Sequence, residues 1–245
     1  MAFDLERVRA RYPGREILWL ASTDSTMRDA ARLTRPGSVV VAGEQTAGQG
    51  RLGRRWHSEP GAGLYVSILL RPRGVTPTLT LALGLAAAEA IAAAAGVACD
   101  LRWPNDVLIG ERKCAGVLVQ LGDAAAIAGI GVNVNQVAFP ADIATLATSL
   151  RIATGCEHSR EELLIELLGA VDRHLELIEC RGPGAILDLF ASSSSYVRGR
   201  RVTVDMDGKS VRGTADGLDP SGFLWLRCDD GSRRLILSGG VRPAM

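Results

Sequence analysis

The residues best equipped for chemistry fall into three short clusters. The first is Gln45-Thr-Ala-Gly48-Gln49-Gly50-Arg51-Leu52-Gly53-Arg54-Arg55-Trp56. Its glycines spell G-x-G-x-x-G, but a dinucleotide fold needs that motif to open a helix, with the pyrophosphate at the helix N-terminus. Here Arg54-Arg55-Trp56-His57-Ser58-Glu59-Pro60-Gly61 follows, which is a poor helix, and no Gly-Lys-Ser/Thr completes a phosphate loop. What remains is open backbone beside three guanidinium groups, Arg51, Arg54 and Arg55. That suits a polyanion, although a solvated basic loop fits the same residues.

The second cluster is Arg102-Trp103-Pro104-Asn105-Asp106, with Lys113 across an expected hairpin. Polar side chains just past a strand end, held by proline, are placed to meet a ligand; an Asx-type turn is the plainer alternative. The third is Asp24-Ser25-Thr26, where two hydroxyls and free N–H groups could bind a small polar head group or simply cap a helix.

Together and in this order, the clusters resemble the biotin protein ligases. The resemblance rests on Asp24-Ser25-Thr26, on Gln45 with Gly48-x-Gly50-Arg51-x-x-Arg54-x-Trp56, and on Trp103-Pro104-Asn105-Asp106. It extends to Arg112-Lys113-x-Ala115-Gly116 and Gly129-Ile-Gly131-Val-Asn133, so it spans about 22–135. Gly213-Thr-Ala-Asp-Gly217 resembles the family's small C-terminal domain more loosely.

The resemblance implies an α+β fold: a mixed β-sheet flanked by helices, like a class II synthetase, over 1–192, with an SH3-like β-barrel over 196–245. It implies that biotin is activated by ATP as biotinyl-5'-AMP and passed to a lysine of a biotin carboxyl carrier domain. Arg51 and Lys113 would be the catalytic cations. Ser25, Thr26, Met27, Gln45, Gln49, Gly50 and Gly116 would join them around biotin. Arg54, Trp56, Asn105 and Asn133 would join them around ATP. Mg²⁺ is expected with ATP, with Asp106 as its candidate ligand, and the glycine-rich 46–63 loop is the natural lid.

Three positions depart from the commonest family form. Gln49 stands where Arg or Lys is frequent, Arg102 replaces Lys, and Met27 replaces Asn. Family members that repress transcription carry an N-terminal helix-turn-helix, for which the early Ser25-Thr26 leaves no room, so no DNA partner is expected; a homodimer stays open. A lipoate ligase is the rival that shares the adenylation logic.

The elements that must position these clusters can be read from pattern. Strands are expected at 17–20, 38–42, 64–70, 100–103, 107–109, 114–120 and 127–134. Asp24 or Ser25 should cap a helix to about Leu33. An alanine-rich helix over 79–98 has Thr76-Pro77 in front and Gly96 behind, while 71–74 ends the strand before it. Ser159 and Glu162 make a capping box ahead of a stripe of Leu163, Leu164, Leu167, Leu168, Val171, Leu175 and Ile178, which is core. Beyond Ser192-Ser193-Ser194-Ser195, runs near 200–204, 210–215, 223–227 and 232–237 alternate with Gly208, Gly217, Gly222 and Gly231. The serine run is too short for a free tether, so the barrel should pack on the larger unit.

Composition narrows the classes. Of 245 residues, 47% are hydrophobic and 22% charged, enough for a real core, and a net charge of +1 gives no overall field for nucleic acid. With 4% aromatics, base-stacking platforms are scarce as well. Five scattered cysteines without a C-x-x-C pair argue against zinc and disulfides. The charged N-terminus is no signal peptide, and the alanine-rich helix reads as buried rather than membrane-spanning, so a cytoplasmic location is expected.

Overall fold

Side-chain alternation in the central strands decides which face of the sheet meets the core and which is left for chemistry. In the computed structural model, residues 3–71, 77–122, 125–206 and 209–244 are described. The expected cap at Thr76, the stop at 72–74 and the turn at Gly208 lie outside them.

The larger unit runs α1 (Leu5–Arg11), β1 (Ile17–Leu20), α2 (Thr26–Ala30), β2 (Val39–Ala42), β3 (Gly63–Leu70), α3 (Pro77–Ala95), β4 (Asp100–Arg102), β5 (Asp106–Ile109), β6 (Arg112–Leu121), β7 (Ala126–Asn133), α4 (Leu150–Thr154), α5 (Arg160–Arg181) and α6 (Pro183–Ser192). Its seven strands form one mixed sheet in the order β1-β2-β3-β7-β6-β5-β4. Only β1 and β2 are parallel; the other neighbours are antiparallel. β8 (Arg198–Met206), β9 (Lys209–Leu218), β10 (Leu224–Cys228), β11 (Arg233–Ile236) and β12 (Gly240–Pro243) form a second, antiparallel sheet in the order β11-β10-β9-β8-β12. This is the α+β architecture with a small barrel-like C-terminal unit that the sequence implied.

Register separates the two faces. Leu64, Val66, Ile68 and Leu70 lie opposite Val132, Ile130, Ala128 and Ala126, and all eight point into the main core under the helices. The other face carries Tyr65, Ser67 and Leu69 against Gly131, Gly129 and Ile127. At one end of that face α2 packs Met27 and Ala30 on Val40, Leu69 and Ile127. Farther along, Gly116 pairs with Gly131, and these two positions put no side chain on the face.

α3 is long and apolar enough to cross a bilayer, with mean hydropathy 1.7, yet 61% of its span is buried inside the fold. Its alanines let α5 approach closely, which is the packing role expected of it. Gly96, at φ +66°, supplies the left-handed stop.

Several boundaries differ from the pattern reading. α2 ends at Ala30 rather than near Leu33: Arg32 and Leu33 bond back three residues, to Asp29 and Ala30, so the chain tightens before Pro36. The capping box of α5 is half formed. Ser159 accepts from the Glu162 amide at 3.1 Å, but Glu162's carboxylate turns to Arg7. β12 lies beyond the last run expected from pattern, 232–237; it pairs with β8 at the outside of the sheet, where proline is tolerated.

The serine run is a staple. Ser194 donates to the Leu101 carbonyl at 2.5 Å, and Ser195 holds both oxygens of Asp100 at 2.9 and 2.6 Å. Trp103 then donates to the Gly222 carbonyl at 2.9 Å, so the small unit packs on the larger one as the short linker required.

Candidate active site

The site is built on the bare face of the sheet from two adjoining cavities. The first is a narrow cleft of about 40 Å³. Ser25, Thr26, Met27, Gln45, Gln49, Gly50, Arg51, Lys113 and Gly116, the whole expected biotin set, line it. The second cavity, about 270 Å³, is lined by all six residues of the expected ATP set: Arg51, Arg54, Trp56, Asn105, Lys113 and Asn133. Gly50, Arg51, Trp56, Asn105 and Lys113 border both.

α2 and the loop after β2 organise the first cleft. Gln45 Oε1 accepts from the Thr26 amide at 2.9 Å and its hydroxyl at 3.1 Å, while Thr26 Oγ1 meets Ser67 Oγ at 2.8 Å. Ser25 occupies the N-cap position, but its hydroxyl makes no capping bond. Oγ is instead buried, with no hydrogen-bond partner among the described residues. An ordinary cap therefore does not explain Ser25, and a polar ligand atom does. Cap loss ordinarily costs about 1 kcal/mol. Ser25→Ala is expected to leave the melting temperature unchanged or slightly raised in thermal denaturation. Ligand affinity should fall by about 3- to 10-fold, the worth of one net hydrogen bond.

The glycine-rich loop folds back on itself as a small ribbon. Gly50 bonds to Arg54 and Trp56 to Gly48 through the backbone, around a 3-10 turn at Arg51–Gly53. A Cβ on Gly48 would lie 2.9 Å from Ser58 Oγ and 3.0 Å from the Trp56 carbonyl, so this glycine permits the fold-back. The ribbon lays the Trp56 indole on the floor: a Cβ on Gly131 would sit 2.5 Å from Cε2. Lys113 Nζ stands 5.2 Å from the ring centroid. Gln49 accepts from Gln120 at 3.2 Å, tying the ribbon to β6.

Two cations meet where the cavities join. Arg51 donates to Asn105 Oδ1 at 3.1 Å and to the Gly239 carbonyl at 3.4 Å, and among the described residues no carboxylate pairs with it. Burial holds its guanidinium below the usual arginine range; Asp106 opposes this and Arg54 adds to it. Arginine stays charged regardless, so a desolvated cation waits for an anion. Lys113 Nζ lies 2.5 Å from Asp106, whose other oxygen accepts from Arg102 at 2.7 and 3.2 Å.

Asp106 thus turns out to be a holder of cations. Both its oxygens face them, and among the described residues no three His, Cys, Asp or Glu side chains cluster as a metal site. Burial drives Asp106 upward, but Lys113 and Arg102 together hold it below its ordinary value of 3.8. A depressed carboxylate stabilises the fold fully above its free value and loses that contribution as pH falls through the lower folded value. Asp106→Asn is therefore expected to flatten the acid limb of a stability–pH curve below about pH 4. An acid limb identical to wild type in urea titrations would count against this assignment.

Asn133 lines the second cavity with its amide N–H pinned to the Thr148 and Lys113 carbonyls at 3.0 and 3.4 Å, so only Oδ1 is left to face a ligand. Six cationic side chains line that cavity against two carboxylates. The near-neutral net charge of the chain conceals this. Pattern reading missed the apolar wall of Phe139, Ile143 and Leu146 and the strip Gly239–Arg242 from the small unit. The wall comes from a segment without periodicity, and its faint signal was isolated apolar residues in a polar loop. The strip's signal was the Gly239-Gly240 pair.

A small-molecule cleft opening onto a cationic cavity, with two positive groups at the junction, defines a site able to join a carboxylate to a phosphoryl group. Comparison with known proteins agrees. The Biotin/lipoate A/B protein ligase family pattern matches residues 19–136, and the Biotin protein ligase C terminal domain pattern matches 198–241. The Bifunctional ligase/repressor BirA of Bacillus subtilis is 35% identical over 231 residues, 88% of this chain and 70% of that protein. The Biotin--[acetyl-CoA-carboxylase] ligase of Mycobacterium tuberculosis is 32% identical over 239 residues, 92% of this chain and 88% of that one. A solved biotin protein ligase from Aquifex aeolicus, in complex with biotin and ATP, superposes with a TM-score of 0.84 at 33% identity, covering 94% and 99% of the two chains. The chain belongs to the biotin protein ligases.

Proposed function

We propose that this chain is a biotin–[biotin carboxyl-carrier protein] ligase that activates biotin with ATP and delivers it to a carrier lysine. The observation that carries the reading is Arg51, a half-buried cation that pairs with no carboxylate among the described residues, beside Lys113 at the junction of the two cavities. In the first step a biotin carboxylate oxygen attacks the α-phosphorus of ATP and pyrophosphate leaves. Both reactants are anionic, so the step needs fixed positive charge where they meet. Ser25, Thr26 and Gln45 hold the ring system, Arg51 and Lys113 bracket the carboxylate and α-phosphate, and Asn105 orients Arg51. Arg54, Trp56 and Asn133 Oδ1 face the nucleotide. In the second step the neutral lysine amine of the carrier attacks the anhydride carbonyl, AMP leaves with the bonding pair, and the amine's proton goes to solvent.

Mg²⁺ is expected to enter on the phosphates of ATP, because among the described residues no three His, Cys, Asp or Glu side chains gather to hold it. We assign 1–192 to the catalytic unit and 196–245 to the small unit, and place the activity in the cytoplasm. Mass spectrometry of small molecules retained after incubation with biotin, ATP and Mg²⁺ tests the reading. Biotinyl-adenylate formed with biotin and not with lipoate is expected; folded protein that retains none would overturn it.

A further inference from the structure

The β4–β5–β6 meander carries Asn105, Asp106 and Lys113, and one side chain of the small unit grips it at two points, the β5–β6 turn and the start of β4. Arg200, in β8, donates through Nη2 to Glu111 Oε1 at 2.7 Å; Glu111 sits in the β5–β6 turn, two residues before Lys113. Through Nη1 the same guanidinium donates at 2.9 Å to Ser195 Oγ, which donates to Asp100 Oδ2 at the start of β4. The Tyr196 hydroxyl closes the arrangement by donating to Glu111 Oε2 at 2.6 Å, and Arg200 stacks 4.0 Å above the fully buried Tyr196 ring.

Stability does not account for this arrangement. The Glu111 side chain is 63% exposed, and ion pairs so placed contribute little. Yet both its oxygens are engaged, and the Tyr196 hydrogen bond, then Arg200, hold it below the usual carboxylate range. Such a tie restricts position more than it adds energy. What it restricts is the turn that leads directly into Lys113, along the wall of the nucleotide cavity.

We propose that Arg200, working with Tyr196 and Glu111, is a positioning residue for adenylation: it clamps the meander so that Lys113 and Asp106 keep their register with Arg51. The inference rests on the reading of the site as an adenylating centre. It assigns the small unit a mechanical part in the first chemical step, one that needs no contact between Arg200 and substrate.

The test is single-turnover formation of biotinyl-adenylate by the full chain at saturating biotin, ATP and Mg²⁺. Arg200→Ala and Glu111→Gln are each expected to slow it about tenfold, with the double variant no slower than the slower single. Arg200→Lys, which keeps charge but not the fork, should fall between. Tyr196→Phe keeps the buried ring and removes only the hydroxyl, so it reports on the clamp even where the other variants fold poorly; about a threefold loss is expected. Biotin affinity without nucleotide should stay within about twofold of wild type, since the ring contacts lie elsewhere. Arg234→Ala, which breaks an exposed pair with Asp230 in the same unit, should leave the rate unchanged. Folded variants with wild-type rates, additive losses in the double variant, or equal losses of rate and biotin affinity would each overturn the clamp. Wild-type protein that formed no adenylate would overturn the functional reading itself, which separates the two failures.

Discussion

Lys113→Met is expected to lower the rate of adenylate formation by about 10²- to 10³-fold, the usual loss when one preorganised donor to a developing charge is removed. Methionine keeps the apolar stem of the side chain and removes the ammonium group, and with it the approach of Nζ to the Trp56 ring and the pair with Asp106. The fold should survive, because Asp106 retains Arg102 at 2.7 and 3.2 Å. Binding of biotin alone should weaken by about tenfold at most, since the Lys113 side chain is 29% exposed and water screens its attraction for a carboxylate. A second signature follows from linkage. Lys113 is one of the two cations that depress Asp106, so without it the carboxylate titrates at higher pH and the acid limb of stability moves upward. Lys113→Arg should rescue only in part, because a planar fork cannot stand both over the indole and against Asp106. Rates are read by rapid quench and affinity by calorimetry. Adenylate formation within threefold of wild type would remove Lys113 from the chemistry, and a large loss of biotin affinity with a normal rate would make it a binding residue only.

Much of this site was legible because its residues lie in runs that are also structural punctuation. The glycine-rich loop, Trp103-Pro104-Asn105-Asp106 and the two glycines of β7 each interrupt an apolar pattern, and the order of the interruptions carried the family resemblance. Their spacing said nothing about facing. Gly116 and Gly131 become neighbours only through the register of β6 with β7. The purpose of Ser25 was hidden for a related reason: an N-cap and a ligand-binding hydroxyl are the same residue in the same place, separated only by whether Oγ finds an N–H. Asp106 could be named as a site residue but not given its role, because its two cations arrive from β4 and β6, one local and one across the hairpin. The apolar wall at Phe139, Ile143 and Leu146 was least visible. No periodic element holds it, and its placement depends on backbone bonds between 146–148 and Lys113.

Gly131→Ala is expected to damage the site more than the loss of any single ligand contact in the first cleft, although it removes nothing. The added methyl would stand 2.5 Å from Trp56 Cε2 and 2.7 Å from Nε1, well inside contact distance, and the ring is rigid. The β7 backbone there is ordinary strand, so alanine is acceptable to the fold, and the indole must move instead. Trp56 borders both cavities, so its displacement disturbs the junction where Arg51 and Lys113 converge. A misplacement of about 1 Å at such a junction costs on the order of 10²-fold in rate. Gly129→Ala is the internal comparison. Its methyl would meet Met27 Sδ at 2.8 Å and Cγ at 3.0 Å, the far end of a flexible side chain that can turn aside, so a smaller loss is expected. If the indole transmits the effect, Trp56→Ala and Gly131→Ala will not add. In the double variant alanine at 131 has no ring to strike, and its rate should equal that of Trp56→Ala alone. Adenylation rates for the three proteins, with tryptophan fluorescence of Gly131→Ala in a background where Trp19, Trp103 and Trp225 are phenylalanine, decide the matter. Additive losses, or an unchanged Trp56 emission, would show that Gly131 serves the ligand directly and that the indole's seat on the floor is incidental.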